Sequence, residues 1–197
     1  MSIAKTRQLL IDVARELFAS KGFNATTMND IATASHKGRR TLYTYFSSKQ
    51  KIYYAVIESE LERMSDRMDE LATMEATPEQ KITMIIYSHL SMIKETVARN
   101  GSLRAEFFRN IWKVELVRKK FDIAERDLLR QVLQEGKATG KFKIEDVNLY
   151  ADIIQHCLKG LEVPYIFGRL GEGHDEVTSR PIVAGLVRRA LGMPEHG

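Results

Sequence analysis

Between Arg39 and Phe46 the chain reads RRTLYTYF, and these residue types suit contact with a polyanion. If the stretch is helical, Leu42 and Phe46 lie four residues apart on one face and point to a core. Arg40 and Thr44 then point the opposite way. Thr41 and Tyr43 flank them, and Arg39 lies on the Tyr43 flank nearer the core. The outward set is cationic and hydroxyl-bearing, able to contact phosphate oxygens and the edges of bases. A helix that enters a major groove needs this division, one face anchored and the other bare.

The charge around this stretch agrees. Residues 1–52 hold nine Lys and Arg against three acids, a balance of +6. The rest of the chain holds twenty-one against twenty-three, or −2, so the overall +4 belongs to the N-terminal quarter. A compact basic module on a near-neutral body points to a polyanionic partner.

The elements that must position these residues are helices. Apolar residues recur with helical spacing along the whole chain, and only 4 prolines and 12 glycines punctuate its 197 residues. Leu10, Val13, Ala14, Leu17 and Phe18 mark a first helix over about 3–21, closed by Gly22. Thr27 and Asp30 form a T-x-x-D capping pattern for a short second helix ending near Ala34. After the turn Ser35-His36-Lys37, Gly38 caps a third helix from Arg39 to Phe46. Ser47 or Ser48 opens a fourth, to about Leu71.

Later helices are predicted from Thr77-Pro78 to Arg99, in short pieces over 102–112, and over about 115–136, 145–168 and 179–191. Gly136 and Gly140 are expected to break the chain, and Pro164 to kink the penultimate helix. The fold class is all-α. A three-helix helix-turn-helix domain over 1–48 precedes a larger helical domain over 49–197.

At this point the sequence resembles the tetracycline-repressor (TetR) family of transcription regulators. The residues that carry the resemblance are Thr27-Met28-Asn29-Asp30-Ile31-Ala32, Thr41-Leu42-Tyr43-Thr44-Tyr45-Phe46 and Lys49. Ala14, Leu17, Phe18, Gly22 and Phe23 before them also fit, so the likeness spans about residues 5–57. The turn departs from the family pattern. His36 replaces its glycine, which asks a non-glycine residue for a left-handed backbone, and Lys37 replaces an apolar residue.

The resemblance implies that Tyr43 and Lys49 contact phosphates. Thr27 is placed to cap its helix or to meet a phosphate, and Arg40, Thr41 and Thr44 are candidates for base edges, with Tyr45 at the margin. Lys37 and Arg39 complete the basic candidates. The implied function is a ligand-responsive repressor that binds a palindromic operator as a dimer. The alternative is a DNA-associated interaction or architectural protein without a small-molecule effector.

In the larger domain, one apolar stripe runs through Val147, Tyr150, Ile154, Cys157 or Leu158, and Leu161. A second runs through Ile182, Val183, Leu186, Val187, Ala190 and Leu191. Two such helices from each subunit would build a four-helix homodimer interface. The alternative is that the stripes pack onto the core of their own chain, and each is expected to do some of both. Candidates for lining an effector pocket are Tyr87, His89, Met92, Phe107, Phe108, Trp112, His156 and Tyr165, though for each of them a place in the core is the simpler reading.

Catalytic chemistry has little support. The five histidines share no metal-ligand spacing, and Gly171-Glu172-Gly173 lacks the strand and lysine of a phosphate loop. His156 and Cys157 are helix neighbours that point about 100° apart, so they form no dyad. No catalytic residue, metal or cofactor is called for. A single cysteine, no membrane-length apolar run and a charged N-terminus lead to the expectation of a cytoplasmic protein.

Overall fold

The computed structural model describes residues 3–99 and 111–193, with the side chains of residues 72, 99 and 111–117 outside that description. Phe107 and Phe108, the Trp112 side chain and the short helices expected before residue 111 therefore lie outside the described residues. Within them the chain forms helices and no strand. These are α1 (Ile3–Lys21), α2 (Met28–Ala34), α3 (Arg39–Tyr45), α4 (Lys49–Thr73), α5 (Pro78–Arg99), α6 (Ile111–Ala138), α7 (Val147–Ile166) and α8 (Glu176–Ala190).

The described chain divides into two compact units. The first takes the residues up to Glu62 together with the end of α5 and the start of α6, to Lys119. The second takes Arg63–Lys94 and the residues from Lys120 onward. The division expected after residue 48 falls inside the first unit, because the beginning of α4 packs with α1–α3. Leu10, Ile11, Ala14 and Phe18 of α1, Ile31 and Ala32 of α2, Leu42 of α3, and Ile52 and Tyr53 of α4 are buried there. Phe18, Phe23 and Tyr53 meet ring to ring, with centroids 5.1–6.3 Å apart.

Local signals set the short helices. Thr27 Oγ1 accepts from the Asp30 N–H at 3.1 Å, and the Asp30 carboxylate accepts from the Thr27 N–H at 2.8 Å, a complete capping box. The backbone N–H bond and the Thr27 hydroxyl hold the Asp30 carboxyl below the usual carboxylate range. At the other end of α2, the His36 N–H donates to Thr33 O and the Lys37 N–H to Ala32 O. This is the double bond of a Schellman stop, whose following residue must be left-handed. That residue is His36, with φ 53°, so the turn keeps the usual geometry despite lacking its glycine.

One expectation changes in the second unit. Gly136 does not break the chain; it lies inside α6, and the break comes at Gly140, where φ is +69°. Gly136 is instead a contact point, because a Cβ there would stand 2.1 Å from the Phe142 ring. The apolar stripes divide between core and surface. Leu158 of α7, Val187 of α8 and Leu191, the C-cap of α8, belong to the core of the chain. The outward apolar residues are Leu149, Ile153 and Val163 on α7 and Val177, Ile182 and Leu186 on α8, each at least 40% exposed. Helix α7 runs two residues past Pro164 and stops at Gly168 (φ +66°).

Candidate nucleic-acid interface and effector residues

The third helix is as divided as its sequence requires. Leu42 is fully buried and Phe46, its C-cap, nearly so, whereas Arg39, Arg40, Thr41, Tyr43 and Thr44 are exposed. Tyr45 and Lys37 are half-buried, and Thr27 is exposed at the start of α2. Neither the Arg39 nor the Arg40 guanidinium has an ion-pair or hydrogen-bond partner among the described residues, so both stand open to solvent beside hydroxyls. The Thr44 hydroxyl donates back to Arg40 O at 3.0 Å, leaving its lone pairs outward.

Lys49 departs from the role the resemblance implies. Its ammonium is turned inward, onto the carbonyls of Phe23, Asn24 and Thr26 and onto the face of the Phe23 ring. A phosphate contact would compete with these bonds, so Lys49 does not stand among the exposed cations of α3. Arg15 of α1 likewise turns inward, to the buried Glu60 of α4 at 2.9 Å. The sequence reading missed this pair. A lone acid four residues after Val56 on an apolar face was the available signal.

The effector candidates scatter. His156 is exposed on α7, with Nδ1 2.7 Å from its own helix at Asp152 O, so it lines no interior of this chain. Met92 is buried. The Tyr87 hydroxyl meets Ser179 Oγ at 2.8 Å, and the Arg180 guanidinium covers its ring. Tyr165 is half-buried, with the Lys94 ammonium 5.2 Å from its ring centroid.

His89 is fully buried between two carboxylates. Its Nδ1 stands 2.5 Å from Glu125 Oε1 and its Nε2 3.0 Å from Glu162 Oε1. Burial alone would push the imidazole pKa down. The hydrogen bonds and charges of Glu125 and Glu162 outweigh it and raise the pKa to about 9. His89 is thus a cationic bolt joining α5, α6 and α7, with both ring nitrogens committed.

The geometry around α2 and α3 is that of a helix-turn-helix, and residues 10–56 match the family described as bacterial regulatory proteins, tetR family. The chain is similar to the tetR family of bacterial regulators through this N-terminal segment. Over 155 residues it is 24% identical to the transcriptional regulator QacR of Staphylococcus aureus, covering 77% of this chain and 81% of that one. Over 149 residues it is 27% identical to the transcriptional repressor KstR2 of Mycolicibacterium smegmatis, covering 74% and 72%. In fold it is similar to the regulator FadR of Bacillus subtilis, in a structure complexed with stearoyl-CoA. There the TM-score is 0.65, with 21% identity over 91% of this chain and 96% of that one. The chain is accordingly a DNA-binding transcription regulator. No helix among its described residues is long and apolar enough to cross a membrane.

Proposed function

We propose that this regulator is a repressor that reads a palindromic operator as a homodimer and releases it when a small, partly apolar molecule binds its second unit. The observation that carries the proposal is the bare face of α3, where Arg39 and Arg40 stand exposed among Thr41, Tyr43 and Thr44. Arg40, Thr41 and Thr44 read base edges, with Tyr45 at their margin. Thr27, Lys37, Arg39 and Tyr43 hold the phosphate backbone. One such motif is too small to bind tightly alone, and two-fold pairing doubles it. The exposed apolar residues of α7 and α8 supply a self-complementary face for that pairing.

For the effector, the support is the stearoyl-CoA held by a protein of the same fold, together with the aromatic and methionine side chains Tyr87, Met92 and Tyr165 on the helices of the second unit. Selection of duplexes from a random pool tests the reading. It should return a palindrome with half-sites about one helical turn, roughly 34 Å, apart. Repeating it with Arg40→Ala should relax one base position per half-site, at a cost of about 1–3 kcal/mol. Recovery of unrelated sequences with no symmetry would reject operator recognition.

A further inference from the structure

Lys49 is the first residue of α4. Its Nζ donates to Phe23 O at 2.6 Å, to Thr26 O at 2.8 Å and to Asn24 O at 3.2 Å, and stands 4.5 Å from the Phe23 ring centroid. An ammonium has three protons, and three carbonyls take them all. The Phe23 ring is fixed in turn against Phe18 and Tyr53. Thr26 is fully buried, and its hydroxyl donates to Gly22 O at 2.8 Å. The next residue, Thr27, caps α2. One cation on α4 therefore closes the loop that joins α1 to α2, and its last bond ends one residue before the helix-turn-helix begins.

We propose that Lys49 is a positioning residue for DNA binding. It fixes residues 23–26, and through Thr26 the start of α2, against α4, and it does not itself bind a phosphate. The proposal rests on the reading of α2 and α3 as the DNA-contacting pair. Three carbonyls converging on one point suit a compact ammonium. The planar fork of a guanidinium cannot aim three N–H bonds at them, so arginine keeps the charge and loses the clamp.

Lys49→Arg and Lys49→Met in the full chain separate clamp from phosphate ligand. Each variant is titrated with the selected operator and with a random duplex over a range of salt, and amide exchange is followed at Thr26 and Thr27. A clamp predicts that both variants melt lower, exchange faster at these two amides and lose about tenfold in affinity on both duplexes. It also predicts that the dependence of log K on log salt keeps its wild-type slope. A phosphate ligand predicts that Lys49→Arg binds as wild type, while Lys49→Met lowers the slope by about 1 per half-site. Either that pattern or wild-type behaviour of both variants overturns the proposal. If Lys49→Met does not fold, Lys49→Arg decides alone. A wild-type protein that selects no duplex sinks the operator reading, and the exchange data still decide the clamp.

Discussion

His36 carries a measurable penalty. A non-glycine residue held at φ 53° costs roughly 1 kcal/mol relative to glycine, partly offset by the greater freedom glycine has when unfolded. His36→Gly should therefore stabilise the protein by about 0.5 kcal/mol, read as a higher urea midpoint with an unchanged m-value. A lower midpoint would show that the imidazole makes a stabilising contact. His89 gives a second test, through pH. Its pKa is raised from 6.5 to about 9 in the fold, so its contribution is fully present below pH 6.5 and is lost as pH rises through about 9. The contribution is on the order of 3 kcal/mol. Thermal melting should fall between pH 7 and pH 9.5 in the wild type, and that fall should be much shallower in His89→Gln. Parallel profiles in the two proteins would mean that His89 is not the titrating group.

Among the elements, the joint between α6 and α7 depends on one missing side chain. The Phe142 ring lies against Gly136, and a methyl at that position would overlap three ring carbons. Gly136→Ala must push the ring or the helix aside, at a cost of about 1–3 kcal/mol by overpacking, measurable by denaturant titration. A change smaller than the ordinary alanine gain in a helix would show that the ring is free to move. The boundaries of these elements were largely legible, because caps and stops are local chemistry. Thr27 with Asp30, Gly22, Gly38 and Pro78 each act within a few residues of themselves. Gly136 was misread because a glycine that admits a neighbouring ring looks, in sequence, like one that ends a helix. The inward face of α3 was legible from the Leu42–Phe46 spacing. The Lys49 clamp was not, since it joins residues more than twenty positions apart and leaves no periodic trace.

At the scale of the whole molecule, the split between core and interface could not be read from periodicity, because both faces of α7 and α8 carry apolar residues. Burial settles which residues face outward. Val187 and Leu191 are core, whereas Ile153 (53% exposed) and Leu186 (56% exposed) are free to meet a second copy. Ile153→Glu with Leu186→Glu should thus leave each subunit folded, convert dimers to monomers in sedimentation, and abolish operator binding. A double variant that sediments as the wild type would place the interface elsewhere. In the proposed dimer, the same uncovered residues carry a cost for any subunit that has not found its mate. A lone chain leaves large aliphatic side chains in water, so pairing and folding draw on the same hydrophobic free energy. The melting temperature should accordingly climb with protein concentration. Operator occupancy should respond to the square of the subunit concentration when that concentration is low, making cellular abundance itself a control on repression, independent of any effector.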